Sequence, residues 1–569
     1  MLEISTRLDK DGDIMRKAMP IGIDDFAEMI NENYYFVDKT KFIEQLREER
    51  AKVTLITRPR RFGKTLNLSM LSYFFDIDNA VENKKLFKGL YIESIEYMQE
   101  QGTRPVIFLT LKDIKSNSWE NQEKKIANNL SELFQQYLFL SDSPKLSKYD
   151  KVYFEDVCSQ KSNNINLEES LVKLCKMLAL YYEKKPILLI DEYDTPIISA
   201  WHYHFYDKCI QFMRNLFGSA LKNNRYLDFA VLTGITRVSK ESIFSGLNNL
   251  DVCGVTSDSY ADCFGFTHLE AEKLMQDCGY AVKLSELQQW YDGYKFGNVE
   301  IYNPWSVINF VRNKCEFKPY WINVSENAIL RDVLTNVDER RYKELKMLLN
   351  GGNVETMLNE NILYSDLGSN RDALFMMLLH TGYLKAVNIV HCPNDISMIS
   401  MKIPNREIRL AYNQEVMQYI VPKQGLSLLQ EMFFAMINGN SKEFEKKLSQ
   451  VLLDIVSYHD TAEPESFYHG LLLGFSVLMT GVYRIESNRE SGYGRFDIAL
   501  FPSNNANAGV ILELKAAKSD EELTEMAKKA IKQINDKSYC IELKRQSVTQ
   551  IWKYGISFYG KKVHIECEK

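Results

Sequence analysis

The stretch from Val53 to Phe75 places the tightest limits on what this chain can fold into. It begins with a short apolar run, continues through an arginine-rich loop that ends in Gly-Lys-Thr, and then carries Leu68, Leu71 and Phe75 at helical spacing. Strand, tight loop and helix in this order form a phosphate-binding loop, in which backbone N–H groups and the helix dipole favour an anion. We therefore predict a nucleotide site here. The alternative is a solvated basic loop before a core helix.

One position of this loop departs from the usual pattern G-x-x-x-x-G-K-[ST], because Arg58 stands where the first glycine is expected. We predict that Lys64 reaches the terminal phosphates and that the Thr65 hydroxyl holds Mg²⁺. The loop arginines are expected to add positive charge beside the phosphates, and Pro59 to stiffen the turn. On this view Arg58→Gly is tolerated. The predicted nucleotide-binding residues of the loop are Arg58, Pro59, Arg60, Arg61, Phe62, Gly63, Lys64 and Thr65.

The length and composition exclude several classes of protein. A chain of 569 residues suggests three or four domains. The formal charge is −6, so any surface for nucleic acid must be local. The 10 cysteines include no C-x-x-C pair, which argues against a zinc ribbon or a disulfide framework and is typical of a reducing cytoplasm. The start of the chain lacks the apolar segment of a signal peptide, and no run of about 18 apolar residues predicts a membrane-spanning helix.

A second apolar run supplies the other half of the predicted nucleotide site. Residues 187–190 are apolar and are followed by Asp191 and Glu192. The carboxyl end of a buried parallel strand opens onto the ligand crevice. We predict that Asp191 orients Mg²⁺ or its water shell and that Glu192 acts on the attacking water as a general base or orienting group. Asp194, two residues further on, is interpreted as a loop or capping residue.

A third apolar run, 226–234, ends in polar residues. Thr233 at this strand end can sense the γ-phosphate, and Arg237 can contact phosphate or a neighbouring subunit. The alternative is a polar turn with a surface arginine. Apolar runs alternate with helical patterns through this part of the chain, which predicts a parallel sheet covered on both faces. The expected fold of residues 1–265 is an α/β P-loop NTPase domain, with helices flanking the parallel sheet.

The region 266–458 is predicted to be largely helical. Its first helix begins near a capping box that runs from Thr267 to Glu270. Aromatic residues are dense in 290–307 and could stack nucleobases, but we interpret them as core and turn residues. Residues 378–384, followed by a strand-like segment near 399–403, suggest a small winged-helix unit. Such a unit can bind DNA or serve only for packing, and the sequence does not decide between the two.

A second set of reactive residues lies in the C-terminal region, 459–569. Asp497 opens a strand, and the next strand ends in Glu513, Leu514 and Lys515. Because side chains alternate along a strand, Glu513 and Lys515 point to the same face, where Asp497 can meet them. Two carboxylates beside a lysine suit Mg²⁺ or Mn²⁺. Such a metal activates water and stabilises the transition state, while Lys515 positions or activates the nucleophile.

The helix predicted at about 519–534 follows this strand. Gln533 lies on it, and the order Asp497, Glu513, Lys515, Gln533 resembles the PD-(D/E)XK nuclease fold, a restriction-endonuclease-like α/β domain. The lysines of this helix could meet a phosphate backbone or form a solvated face. These lysines are Lys528, Lys529 and Lys532.

Several long blocks, in order along nearly the whole chain, resemble one family. They include RPRRFGKTLNLSML, LIDEYDTP, LTGITRVSKESIFSGLNN, WYDGYKFG, IYNPWSV, KIPNRE and FYHGLLLG. The chain resembles bacterial AAA-ATPase-like proteins with a C-terminal PD-(D/E)XK nuclease domain, whose own form of the loop reads R-P-R-R-F-G-K-[ST]. The resemblance implies ATP and Mg²⁺ as cofactors, and it places Glu465 where related nucleases often keep a helical carboxylate. It also carries roles over to Lys64, Thr65, Asp191, Glu192, Asp497, Glu513 and Lys515.

The resulting hypothesis is a cytoplasmic protein that binds and hydrolyses ATP and whose ATPase domain regulates a C-terminal, Mg²⁺-dependent nuclease. ATP binding would change the domain arrangement and permit cleavage of DNA or RNA phosphodiesters. The alternative is a regulatory switch ATPase whose C-terminal domain binds nucleic acid or a partner without cleaving it. A scaffold would need both sites to be inactive, which the intact motifs argue against. No membrane partner is expected, and the sequence leaves a monomer or a homo-oligomer open.

Overall fold

The chain divides into two units, and the described residues up to Arg409 belong to the first while those from Leu410 onwards belong to the second. This division falls inside the predicted middle region, and the domain limits at 265 and 458 stay predictions. The computed structural model describes residues 17–160, 167–237, 243–244, 250–280, 283–321, 344, 347–348, 351–359, 370–391, 397–412, 425–455, 468–469, 472, 475–476, 479, 482–487, 490–491, 494–504 and 507–569.

A parallel sheet organises the first unit. Its strand order is β2-β3-β4-β1-β5, and every pairing is parallel. The strands β1, β3 and β4 are buried along their whole length, which explains why each reads as a continuous apolar run. Because β1 and β3 both adjoin β4, the carboxyl ends of these three strands meet at one edge of the sheet. The strands are β1 (Val53–Thr57), β2 (Val106–Thr110), β3 (Ile187–Asp191), β4 (Ala230–Gly234) and β5 (Leu250–Cys253).

Helices pack against this sheet and continue beyond it, as the predicted α/β class requires. None of the described helices combines the length and apolar composition that crossing a bilayer requires. Short 3₁₀ helices lie at Tyr91–Ser94, Glu96–Glu100 and Leu138–Leu140. The described α-helices of this unit are α1 (Phe26–Asn31), α2 (Lys41–Glu49), α3 (Lys64–Phe75), α4 (Ala80–Lys85), α5 (Trp119–Gln135), α6 (Lys148–Cys158), α7 (Ser170–Tyr182), α8 (Thr195–His202), α9 (Tyr206–Leu221), α10 (His268–Asp277), α11 (Leu284–Tyr291), α12 (Pro304–Arg312) and α13 (Arg371–His380).

Two small antiparallel sheets follow in the same unit, so the region predicted as largely helical also contains strands. The capping box at Thr267 is present. Helix α13 leads into the pair β10 and β11, beside β9, but a winged helix and its binding to DNA stay predictions. The strands are β6 (Phe266–Thr267), β7 (Tyr294–Phe296), β8 (Val299–Tyr302), β9 (Val354–Met357), β10 (Lys385–His391) and β11 (Ser397–Lys402).

The aromatic blocks of this region form core, as predicted. Tyr291, Tyr294 and Tyr302 are all buried. The segment around Asp292 contacts the KIPNRE block, because the Asn405 Nδ2 donates to the Asp292 carbonyl oxygen at 2.8 Å. These motifs therefore have a packing role in the structure.

Glu407 places a carboxyl group inside this core. It is fully buried, and it accepts hydrogen bonds from the Trp321 backbone N–H and the Ser306 hydroxyl, both at 2.7 Å. Burial raises the pKa of Glu407 to about 7, although the hydrogen bonds act in the opposite direction. The carboxyl therefore stays protonated in the folded chain at pH values where an exposed glutamate is ionised.

We expect Glu407 to make the first unit less stable as the pH rises from about 5 to about 8. An unfolded glutamate loses its proton near pH 4.3, whereas the folded pKa is about 7. Between these values the folded state binds more protons than the unfolded state, so the free energy of unfolding decreases with pH. Glu407→Gln should remove roughly 2 to 3 kcal/mol of this decrease. Urea unfolding of the unmodified chain and of the Glu407→Gln variant across this pH range measures this difference. Free energies of unfolding that change with pH in the same way in both proteins would contradict the prediction.

The second unit is built on a mixed five-stranded sheet of order β12-β15-β16-β17-β18. Only β16 and β17 pair in parallel within it. This α/β architecture fits the predicted nuclease-like domain. The strands are β12 (Tyr483–Ser487), β13 (Glu490–Ser491), β14 (Gly494–Arg495), β15 (Ile498–Pro502), β16 (Gly509–Ala516), β17 (Ile551–Tyr559) and β18 (Lys562–Glu568), and the described helices are α14 (Gly425–Ile437), α15 (Ser441–Ile455), α16 (Leu523–Asp536) and α17 (Ile541–Arg545).

Alternation along β16 separates its residues between two cores. Leu512 and Leu514 belong to a large apolar cluster on one face. Ile511 belongs to a cluster on the other face, together with Ile531 and Ile534 of α16. Glu513 and Lys515 have the same parity as Ile511, so they lie on the face that α16 covers.

Candidate functional site

The first candidate site is built on the β1–α3 loop, residues 58–63. Gly63 precedes α3 with a φ of 81°, a left-handed conformation that favours glycine, although a Cβ there would meet open space. The first N–H groups of α3 have no partner within the helix. They lie at the sheet edge where β1 ends. This arrangement of backbone donors suits an anion.

Lys64 begins α3 and folds back over the loop. Its Nζ donates to the carbonyl oxygens of Arg58 and Pro59, at 3.0 and 2.8 Å. Burial lowers the pKa of Lys64, and the nearby carboxylates of Glu192 and Asp191 oppose this effect. The side chain therefore lies over the loop and close to Asp191, the last residue of β3, and Glu192, which follows it.

Asp191 joins two predicted site residues. Its Oδ2 accepts a hydrogen bond from the Thr65 hydroxyl at 2.8 Å, and its Oδ1 accepts one from the Thr233 hydroxyl at 2.7 Å. Burial raises the pKa of Asp191, and the two hydroxyls lower it. Three residues from α3, β3 and β4 thus converge at one carboxylate. Their oxygen atoms are of the kind that Mg²⁺ takes as ligands.

Glu192 follows with a φ of 52°, in the left-handed region that non-glycine residues adopt at a cost of about 1 to 2 kcal/mol. Its Oε2 accepts a hydrogen bond from the Thr195 hydroxyl at 2.9 Å. Backbone strain of this kind often lies at functional sites. The role of Glu192 toward an attacking water stays a prediction.

Asp194 is a loop residue, as interpreted from the sequence. Its Oδ2 accepts hydrogen bonds from the backbone N–H groups of Ile235 and Thr236, at 2.9 and 2.8 Å. These bonds fix the loop that follows β4. Arg237 comes next and is half-buried, and its predicted contact with phosphate is not tested by this geometry.

The Arg58 side chain is directed into the interior of the first unit, so the structure gives no support to the prediction that it adds charge beside the phosphates. The side chain is fully buried, and its Cζ lies 4.8 Å from the ring centroid of Phe296 and 5.6 Å from that of Phe264. Burial lowers the pKa of Arg58 to about 10, which leaves it charged at neutral pH. Its hydrogen bonds, of 2.7 to 3.4 Å, go to the carbonyl oxygens of Thr57, Cys253, Gly254, Ser259 and Tyr260.

These contacts join the end of β1 to the segment that follows β5. The usual first glycine of such a loop has no side chain that could make this connection. Arg58 is therefore a structural anchor of the site, and Arg58→Gly is not expected to be tolerated.

Two more side chains of the loop pack into the first unit. The Phe62 ring is buried and stands edge-on to Tyr294 and Phe296, with ring centroids at 4.9 and 5.2 Å. Pro59 is buried and lies close to Gly382. Both side chains pack inside the unit, so the backbone N–H groups are what these two residues could offer an anion.

Arg61 stacks on an aromatic ring. Its Cζ lies 4.0 Å from the ring centroid of Trp305, and its φ is 69°. The left-handed conformation costs an arginine about 1 to 2 kcal/mol. A cation–π contact contributes about 0.5 to 2 kcal/mol, depending on its burial. The two effects are of similar size and opposite sign.

Arg60 is the loop arginine whose charge acts on Lys64. It is half-buried. Burial is the main cause that lowers the pKa values of Arg61 and Lys64, and the charge of Arg60 lowers them further. Of the three loop arginines, Arg60 is therefore the one that remains a candidate for contact with phosphate.

The second candidate site lies where β15 begins and β16 ends. The Asp497 Oδ2 accepts a hydrogen bond from the Leu514 backbone N–H at 2.8 Å. The Glu513 Oε1 accepts hydrogen bonds from the Lys515 Nζ, at 3.1 Å, and from the Gln533 amide. The structure thus brings together four residues that the sequence singled out. Glu465 lies outside the described residues.

The second carboxylate oxygen of Glu513, Oε2, is buried and has no hydrogen-bond partner among the described residues. Burial and the Asp497 carboxylate raise the pKa of Glu513 to about 7, and Lys515 acts against them. A buried carboxylate with a spare oxygen, beside a second carboxylate, fits a divalent cation with oxygen ligands. Within the described ranges no group of three or more His, Cys, Asp or Glu side chains is arranged for a metal ion, so the fit rests on two carboxylates.

The sequence reasoning missed two residues of this site. The Gln533 amide donates to the Tyr539 hydroxyl at 3.3 Å. Burial raises the pKa of Tyr539, and the charges of Glu513 and Asp497 raise it further. The His469 Nε2 donates to the Asp497 carbonyl oxygen at 3.0 Å. His469 lies in the FYHGLLLG block, which could have drawn attention to it, whereas no sequence pattern singles out Tyr539.

Two family models match separate parts of this chain. Residues 20–244 match the model described as predicted AAA-ATPase, and residues 463–568 match the PD-(D/E)XK nuclease superfamily. A relative from Azotobacter chroococcum mcd 1, described as an uncharacterized protein in the vnfD 5' region, is 26% identical over 532 residues. That alignment covers 92% of this chain and 93% of the relative. The predicted resemblance is confirmed, and each family match contains one of the two candidate sites.

Proposed function

We propose that this chain is an ATP-regulated nuclease. The premise is that it joins an AAA-ATPase-like domain at 20–244 to a PD-(D/E)XK nuclease superfamily domain at 463–568. The first domain binds and hydrolyses ATP with Mg²⁺. The second cleaves DNA or RNA phosphodiesters with Mg²⁺ or Mn²⁺. The observation that carries the proposal is Glu513, a buried carboxylate with an oxygen to spare, beside Asp497 and Lys515.

In the ATPase half, the loop N–H groups and Lys64 bind the phosphates. Thr65 and Asp191 would hold Mg²⁺, which would neutralise phosphate charge. The Thr233 hydroxyl donates to the same Asp191 carboxylate. A shift of Asp191 on loss of the γ-phosphate would therefore be transmitted to β4 through Thr233. Glu192 orients the attacking water.

In the nuclease half, Asp497 and Glu513 would hold the metal, which would supply an activated water and stabilise developing charge. Lys515 and Gln533 fix the orientation of Glu513 by hydrogen bonds to one of its oxygens. We assign to the Lys515 ammonium the further role of positioning the nucleophile or binding a phosphate oxygen. Tyr539 in turn accepts a hydrogen bond from Gln533.

A cleavage panel tests the function. The purified chain is mixed with single- and double-stranded DNA and RNA, with Mg²⁺ or Mn²⁺, and with or without ATP. We expect metal-dependent cleavage of at least one substrate at a rate that ATP changes. The alternative is a switch ATPase whose C-terminal domain binds nucleic acid without cutting it. ATP turnover without any cleavage would support that alternative.

We expect Lys64→Ala to abolish ATP binding. The substitution removes the cation that lies over the β1–α3 loop, and the loss should exceed about a hundredfold in affinity. Titration with a fluorescent ATP analogue measures it. Lys88→Ala, which removes an exposed lysine of the same unit, should leave the affinity unchanged. Equal affinities of the Lys64 variant and the unmodified chain would rule out the nucleotide site.

A further inference from the structure

The shape of the β1–α3 loop depends on two left-handed residues, Arg61 and Gly63, with φ of 69° and 81°. Glycine adopts this conformation freely, whereas arginine does so only at a cost. The loop N–H groups can converge on a phosphate only while the backbone keeps this shape. Some contact must therefore hold Arg61 in place.

Trp305 supplies a fixed surface for that contact. It lies at the start of α12, where its backbone N–H donates to the Asn303 side chain at 3.0 Å. Its indole N–H donates to the Tyr320 carbonyl oxygen at 3.2 Å. Both bonds are independent of Arg61, so the ring is oriented before the guanidinium stacks on it at 4.0 Å.

We propose that Trp305 is a positioning residue for the nucleotide: its stack on Arg61 holds the β1–α3 loop in the backbone conformation that receives phosphate. The inference rests on the proposed ATP binding. Because the stacking energy and the backbone cost are of similar size, loss of the ring removes a contribution that offsets the cost of the left-handed conformation. The loop then spends more of its time in other conformations, and the apparent affinity falls with the fraction of competent loop.

The experiment uses the full chain and ATP binding as its first readout. Trp305→Ala should raise the Kd for ATP about tenfold, and Trp305→Phe, which keeps an aromatic face, should raise it less. The deciding variant is Arg61→Gly in the Trp305→Ala background. Glycine adopts the left-handed conformation without the ring, so the double variant should recover most of the affinity. Trp290→Ala is the matched control, because Trp290 stacks on Arg406, at 4.7 Å, and should not change ATP binding.

Hydrogen exchange of the backbone amides of residues 60–65, measured without nucleotide, is the second readout. Exchange should be faster in Trp305→Ala and return toward the rate of the unmodified chain when Arg61→Gly is added. Unchanged exchange in Trp305→Ala, or a double variant that recovers neither exchange nor affinity, overturns the inference. If the unmodified chain binds no ATP, the proposed function fails, and the exchange rates still decide whether Trp305 orders the loop.

Discussion

Arg58→Gly should destabilise the first unit by about 3 kcal/mol or more. The substitution empties a fully buried site between two aromatic rings and leaves a group of carbonyl oxygens without their donor. Cavities and unpaired buried polar groups are the changes that produce the largest losses of stability. Urea or thermal unfolding of the full chain, with a probe in the first unit, measures the effect.

Two further variants separate the causes of this loss. Arg60→Gly changes the same loop at a half-buried arginine, and it should change stability by less than about 1 kcal/mol. Arg58→Lys keeps a cation but loses the planar guanidinium that reaches several acceptors. Its loss of stability should therefore lie between those of Arg60→Gly and Arg58→Gly. An Arg58→Gly protein that unfolds at the same urea concentration as the unmodified chain would show that Arg58 is not an anchor.

Glu513→Gln should abolish metal-dependent cleavage, by about a thousandfold or more, while leaving ATP binding intact. The amide keeps the size of the side chain but removes the carboxylate charge that a divalent cation needs. Cleavage of the substrate found in the panel measures the first effect. Thermal unfolding with and without Mg²⁺ or Mn²⁺ measures how much the metal stabilises the second unit, and this readout needs no substrate.

Glu525→Gln is the matched control, since Glu525 is an exposed carboxylate on α16 that pairs with Lys529 at 2.8 Å. It should keep both cleavage and metal-dependent stabilisation. Full cleavage by the Glu513→Gln protein would reject the assignment of the nuclease site. Loss of cleavage in both variants would point instead to the fold of the α16 face.

The elements that could be predicted from sequence are those whose pattern is local. The strands β1, β3 and β4 are buried throughout, so each appears as an uninterrupted apolar run. The alternation in β16 likewise places Glu513 and Lys515 on one face. In both cases a few adjacent residues carry the information. The convergence of Thr65, Asp191 and Thr233 then follows from the parallel sheet.

The orientation of Arg58 could not be predicted in this way. Its carbonyl partners after β5 lie about two hundred residues along the chain, and a motif aligns a position without showing where its side chain points. The strands β6 to β8 were missed for a different reason. They are two to four residues long, too short for a period-2 pattern to stand out from a helical one.

The surroundings of Arg58 also determine how the site should respond to ionic strength. Its charge is met by carbonyl oxygens and aromatic faces at close range inside the protein. Mobile ions screen exposed charge pairs, but they do not enter such a buried environment. The junction between β1 and the segment after β5 should therefore be as strong in concentrated salt as in dilute buffer. Salt concentrations that weaken exposed ion pairs would leave this junction, and the start of the β1–α3 loop, in place.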